Sequence, residues 1–275
     1  MVCRTTQARY ETDVMDEVAP VRAIENNAAE LLLAMGAAGG GQQRDDDRVR
    51  WTVGGSPLDY HNAVVAADLA AADADHAISE FQRLLTERGV PGSWHVGPSM
   101  RPIDLGRRLL DAGFVRGGSE PGMAVHLSEL VEPPGTGLEV SRVERAEHLA
   151  VWEATLGRGF GEGEKEARWV ADVYRRLGLT DPWRHYLGRL DGEPVATATV
   201  YLAAGVAGVY FVMTVPEKRR RGIGASMTYA ALREVTGIEY AVLGSSAAGR
   251  SVYARLGFRE YCTIDLYESA HEPDQ

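Results

Sequence analysis

EKRRRGIGASMTYAALREVTG, residues 217–237, runs three arginines into Gly222-Ile223-Gly224 at the start of a helix. Ile223, Met227, Ala230, Ala231 and Val235 share one helical face, which predicts a helix over 223–236 ending at Gly237. The first four N–H groups of a helix have no partner inside it, and the helix dipole concentrates positive charge there. Gly222 and Gly224 remove side chains that would hold a ligand off those amides. Arg219, Arg220 and Arg221 add charge around them. Two readings fit: a diphosphate cradle, or an exposed basic turn with glycines for tight packing. The strand-like VAGVYFVMTV (206–215) just upstream favours the cradle. Two familiar phosphate loops are excluded. Met227 stands where a dinucleotide fingerprint needs its third glycine, and Pro216 to Arg221 separate the glycines from the strand. No Gly-Lys-Ser/Thr follows, so a P-loop is excluded too.

Outward from this stretch, Leu138–Val143 reads as a strand, and 145–157 and 164–177 as helices. Residues 184–202 read as a hairpin turning at Asp191-Gly192. Downstream come a strand (238–243), a short helix ending at Leu256, and a last strand pair between Phe258 and Tyr267. The run Val131-Glu132-Pro133-Pro134-Gly135-Thr136-Gly137 cannot continue a helix or a central strand. It divides the chain into lobes of residues 1–132 and 138–275. In the first lobe, a helix over 73–88 leads to the strand GSWHV (92–96), then to a helix ending LLDAGF (109–114). The second lobe has IEYAVL, then a helix ending ARLGF (254–258). Gly113-Phe114 and Gly257-Phe258 close the two helices alike, glycine supplying the left-handed cap. The matching order suggests an internal duplication, although Gly-Phe also follows helices in unrelated folds. Gly36 to Asp47 reads as a mobile loop.

The 275 residues are 45% hydrophobic and 25% charged, with a net charge of -10. That charge argues against nucleic acid as the main partner and is compatible with an amine substrate. Cys3 and Cys262 do not form a disulfide framework or a metal motif. Neither a secretory signal nor a membrane-length apolar run is present, so a cytoplasmic protein is expected.

VPEKRRRGIGA (215–225) resembles the acetyl-CoA signature of the GNAT N-acetyltransferases, Arg/Gln-x-x-Gly-x-Gly/Ala, with Arg219, Gly222 and Gly224 in its fixed positions. YAVLGSSAAGRSVYARLGFRE (240–260) resembles the family's second signature, Tyr253 taking the tyrosine position before Gly-Phe. The resemblance covers most of the second lobe. It implies an α/β fold of two GNAT-like lobes, each a mixed, mostly antiparallel sheet flanked by helices. The first lobe lacks the Arg-x-x-Gly-x-Gly pattern and has Leu109 opposite Tyr253. It is similar to the degenerate lobe of tandem-GNAT proteins and would buttress the active lobe or wall the substrate site.

The activity implied is transfer of an acetyl group from acetyl-CoA, without a metal, to the primary amine of a small molecule in a ternary complex. The expected cofactor contacts are the backbone of Met213 and Val215, the arginines Arg219, Arg220 and Arg221, and Gly222, Ile223, Gly224 and Ala225. Ser246 stands where many relatives carry asparagine near the pantetheine arm. Tyr253 is the candidate general acid, with packing against Phe258 as the alternative. Glu162, in GRGFGEGEKE, is the candidate base, with a solvated loop position as the alternative. Phe160, Trp94 and His95 are candidate walls. Two other functions compete: a CoA-binding sensor or scaffold without turnover, and acetylation of protein lysines or N-termini. Either a monomer or a homodimer is compatible with the sequence.

Overall fold

The computed structural model describes residues 5–270, with side chains from residue 19 onward. Cys3 lies outside the described residues, and Cys262 is a buried free thiol. The first half runs α1 (Thr5–Ala38), β1 (Gln42–Asp45), β2 (Val49–Val53), β3 (Asn62–Ala67), α2 (Ala71–Arg88), β4 (Ser93–Val96), α3 (Leu105–Asp111) and β5 (Phe114–His126). The second half runs β6 (Glu139–Arg142), α4 (Ala146–Leu156), α5 (Glu164–Leu177), β7 (Trp183–Leu190), β8 (Glu193–Ala203), β9 (Val206–Thr214), α6 (Ile223–Leu232), β10 (Tyr240–Gly244), α7 (Arg250–Arg255) and β11 (Arg259–Ser269). All eleven strands join one mixed sheet in the order β1-β2-β3-β4-β11-β5-β10-β9-β8-β7-β6. The fold is therefore the mixed α/β architecture expected.

Local chemistry accounts for most elements. Asp191 (φ 51°) and Gly192 (φ 82°) are both left-handed, as a two-residue hairpin turn requires, and they join β7 to β8. Helix α5 buries Ala167, Val170, Ala171, Val173 and Tyr174 along one face and turns its arginines out. These residues, Trp152 of α4, and Leu31, Leu32 and Met35 of α1 belong to the largest buried cluster, which spans both halves. Two expectations change. The stretch 36–47 holds the end of α1 and all of β1, tied down by ion pairs Arg44–Asp46 and Arg50–Asp45. Helix α6 stops at Leu232, short of Thr236.

The ends of the two halves interlock. Residues 259–269 form one long strand, not a strand pair. Its partner comes from the first half: β11 pairs antiparallel with β5 over Phe114–Ala124. On its other edge β11 pairs with β4, while β5 pairs with β10 on its own far edge. Each half thus inserts its last strand between the other half's last two. The order β3-β4-β11-β5-β10-β9 reads symmetrically about the β11–β5 pair, with β3–β4 and β10–β9 both parallel.

Candidate active site

Strands β9 and β10 pair only at Ala207↔Ala241 and Gly208↔Val242 before they separate. A bulge accompanies the separation. Two steps along β8, from Thr197 to Thr199, span three along β9, from Met213 to Tyr210. Phe211 takes φ 51° there, and the Thr197 hydroxyl donates to its carbonyl at 2.9 Å. The result is a split in the sheet that leaves backbone groups of β9 facing away from β8.

Which groups are free follows from the antiparallel ladder. The Val215 N–H donates to Val195 O at 2.9 Å, and the Val215 carbonyl accepts from the Lys218 N–H at 2.9 Å. Val215 therefore spends both groups within the chain. Bonded and non-bonded pairs alternate along such a ladder, so Met213 faces Thr197 as the next bonded pair. The open side falls to the Thr214 N–H, its carbonyl accepting from Arg219 Nε at 3.0 Å, and, across the bulge, to Val212. Met213 and Val215, expected to offer backbone groups to a cofactor, thus turn theirs toward the chain itself.

At the mouth of the split, α6 begins without a side-chain cap. Gly222 is left-handed (φ 78°), as is Arg220 (φ 61°), so the loop alternates hand and turns its amides into a concave nest. The site leaves room for a ligand: a Cβ on Gly224 would meet nothing closer than Thr214 Oγ1, at 3.8 Å. Ile223 and Ala225 bury their side chains and anchor the start of the helix. Arg220 and Arg221 are exposed and carry no ion pair among the described residues. Arg219 behaves differently. Its Nε donates to Thr214 O at 3.0 Å and its Nη2 to Gly159 O at 2.7 Å, so it braces the loop against β9 and the α4–α5 turn.

Tyr253 on α7 is half-buried, its ring edge-on to Phe258 at 5.8 Å between centroids. Burial pushes its hydroxyl up to about 12. Its hydroxyl has no protein partner among the described residues. Ser246 is exposed, and its Oγ accepts from the Gly249 N–H at 3.2 Å, so it caps the turn leading into α7.

Glu162 is exposed, with Lys165 Nζ 3.6 Å from its carboxylate. The inward carboxylate of that loop is Glu166, which is buried. Glu166 Oε2 accepts the Glu162 N–H at 3.2 Å, and Oε1 lies 3.1 Å from His61 Nε2 of the first half. His61 stacks on Trp169 at 4.8 Å and lies 6.4 Å from the ring of Phe211. Phe160 packs on Phe211 at 5.4 Å. The sequence reading missed the Glu166–His61 pair, because its members are 105 residues apart. On β4, strand alternation sends neighbours to opposite faces. Trp94 is buried in the first half's own core, whereas His95 lines a cavity beside Tyr60 and Tyr210.

The first half has the same split, but fills it. Strands β3 and β4 pair only at Ala63↔Ser93 and Val64↔Trp94. Beyond them Arg101 bridges Asp68, donating its N–H to Ala67 O at 2.8 Å and accepting from the Leu69 N–H at 3.3 Å. The chain's own backbone occupies that edge. The start of α2 has no glycine, and its first turn carries Asp73, ion-paired to Arg48.

A mixed sheet split beside an uncapped glycine helix start makes a candidate site for an anionic cofactor. Residues 140–248 match the family described as "Acetyltransferase (GNAT) domain". A GCN5-related N-acetyltransferase from Kribbella flavida superposes with a TM-score of 0.69 and 21% identity, over 89% of this chain and 96% of its own. A functionally unknown conserved protein from Staphylococcus epidermidis gives 0.65 at 12% identity, over 84% and 95%. A tandem GNAT protein from the clavulanic acid biosynthesis pathway gives 0.55 at 14%, over 86% and 80%. At these identities the superpositions establish the fold. None of the curated proteins matches the chain significantly. The match to the GNAT acetyltransferase domain thus lies in the second half of the chain, and the chain as a whole shares the fold of these proteins. Among the described residues, no helix is long and apolar enough to cross a membrane, and no group of side chains could hold a metal ion.

Proposed function

We propose that this chain is an acetyl-CoA-dependent N-acetyltransferase that acts on the primary amine of a small molecule by direct transfer in a ternary complex. The observation that carries the reading is the uncapped start of α6 at Gly222–Ala225, placed at the mouth of the β9–β10 split. The amides of Ile223, Gly224 and Ala225, with Arg220 and Arg221, suit the diphosphate. The outward backbone groups of Val212 and the Thr214 N–H suit the pantetheine amides, and one such N–H suits an acyl oxygen. When bound, acetyl-CoA supplies an activated acetyl thioester. Tyr253 stays protonated throughout the physiological range, because burial holds its hydroxyl at about 12, and serves as proton donor to a departing thiolate. The first lobe, residues 1–132, is read as a degenerate GNAT lobe without CoA. Its split is filled by Arg101, and its helix start carries Asp73.

Calorimetric titration with acetyl-CoA, beside NADH and ATP, tests the binding. Selective binding of acetyl-CoA at one site per chain is expected. Thiol release over a panel of amines then separates an enzyme from a sensor, which binds without turnover. No acetyl-CoA binding would sink the reading, and two sites would sink the silent first lobe.

A further inference from the structure

We propose that the acceptor sits in the cavity beside Gly244, with Glu120 of β5 as its counter-ion and proton acceptor, and that it is a small primary alkylamine with a compact apolar body. This deepens the acyl-transfer reading and rests on it.

The cavity measures about 60 Å³ and lies under α1, where Ile24 and Leu32 meet Tyr60, His95, Tyr210 and Glu120. By the measure of one water-sized sphere, that is room for roughly four to six small groups. Glu120 reaches it only because β5 is inserted into the second half's sheet next to β10. Gly244, the last residue of β10, marks the contact: a Cβ there would lie 2.9 Å from Glu120 Oε2. The same strand end leads to Ser245 and on to Gly249, where a Cβ would lie 3.1 Å from Ser245 Oγ and 3.0 Å from the Tyr253 ring. Glu120 therefore borders the end of β10, and the Tyr253 ring borders the loop that follows it.

Glu120 has one side-chain partner among the described residues, the Tyr60 hydroxyl, which donates to it at 3.2 Å. No cation is paired with it there. Burial raises its carboxyl above the ordinary glutamate value. The groups facing it cannot neutralise it. His95 is held neutral by burial, at about 3, with its Nε2 3.0 Å from Ser93 Oγ. The Tyr210 hydroxyl donates to Asn27 at 2.6 Å. On α1, Glu25 adds a second carboxylate, which accepts the Ser99 N–H at 3.0 Å. A cavity with negative charge, no internal cation and apolar flanks selects an ammonium group on a compact apolar body.

Protons and bonds balance as follows. Glu120 takes one proton from the ammonium and later returns it to solvent. The neutral nitrogen forms a C–N bond at the thioester carbonyl carbon, and the C–S bond breaks. The second N–H proton is lost as the amide forms, and the Tyr253 hydroxyl delivers a proton to the thiolate sulfur and is replenished from the nitrogen.

The test uses the full chain as wild type, Glu120→Gln and Glu120→Asp. Thiol release is followed with butylamine, isobutylamine, a lysine hexapeptide and an aminoglycoside, and acetyl-CoA binding is measured for each protein. Wild type is expected to prefer the two small amines. Glu120→Gln should lose about 100-fold or more in kcat/KM. It should also lose the acid-side fall in rate, which lies above the ordinary glutamate range, while binding acetyl-CoA normally. Glu120→Asp should recover part of the rate, which a purely structural role would not predict. Wild-type turnover and pH profile in the glutamine variant would overturn the assignment. So would preference for the peptide or the aminoglycoside, or acetyl-CoA binding without turnover of either small amine. Failure of wild type to bind acetyl-CoA would instead overturn the acyl-transfer reading, and this proposal with it.

Discussion

Gly224→Glu should make the fold more stable and the enzyme blind to acetyl-CoA. Gly224 is the second residue of α6, and a Cβ there meets only Thr214 Oγ1, at an ordinary 3.8 Å. The protein therefore accommodates the new side chain without clash. Replacing glycine inside a helix gains about 0.5–1 kcal/mol. A carboxylate in the first turn adds about 0.3–1 kcal/mol from the helix dipole. The sum is about 1–2 kcal/mol, or roughly 2–8 °C in Tm for a chain of this size. The same carboxylate occupies the space assigned to the diphosphate. Two like charges about 4 Å apart repel by about 4 kcal/mol at a protein surface, a roughly thousandfold loss of affinity. Differential scanning fluorimetry and calorimetry read the two effects separately. A variant with raised Tm and an unchanged acetyl-CoA Kd would refute the cradle, because the blocking side chain would then stand where no ligand binds.

Three further outcomes are expected. Tyr253→Phe should lower kcat about 100-fold with Tm nearly unchanged, since the hydroxyl has no protein partner among the described residues and the ring still packs on Phe258. Because burial raises that hydroxyl to about 12, the donor form persists as pH rises, and no alkaline fall due to Tyr253 should appear below about pH 10 in a pH–rate profile. Arg219→Ala removes hydrogen bonds to Thr214 O and Gly159 O, each worth about 0.5–1.5 kcal/mol net. Thermal melts should show the loss, and Arg219→Lys, lacking the planar fork, should not restore it fully. Glu166→Ala leaves His61 Nε2 and the Glu162 N–H without their buried acceptor, at about 1–3 kcal/mol for each. The midpoint of urea unfolding should drop accordingly, and a midpoint equal to wild type would mean that the pair is not what joins α5 to the first half.

Much of the second half was legible in sequence because its signals are local. The Asp191-Gly192 turn, the apolar face of α5 and the glycines before α6 each act within a few residues, and each element formed where its pattern lay. The arginine–glycine stretch likewise carried the resemblance to the acetyltransferase domain that residues 140–248 match, since an uncapped helix start is a property of the chain at that point. The repeated Gly-Phe ends were also legible, and β5 and β11 begin at or next to them.

Tertiary structure decided the rest. The partner of β11 is β5, from the other half of the chain, and no local pattern tells a strand which edge it will meet. That exchange brings Glu120, a carboxylate absent from any recognisable motif, to the end of β10, while Glu162 stays in solvent. The ladder register decides which backbone groups of β9 face away from β8, because one hydrogen bond from Val215 to Val195 sets the alternation. The division of Arg219 from Arg220 and Arg221 also needed three dimensions: Gly159 comes within reach of one guanidinium only after α4 packs on the sheet. Local propensity and spacing determined the elements and the kind of chemistry. Long-range strand pairing, which sequence periodicity does not encode, determined which side chains meet there.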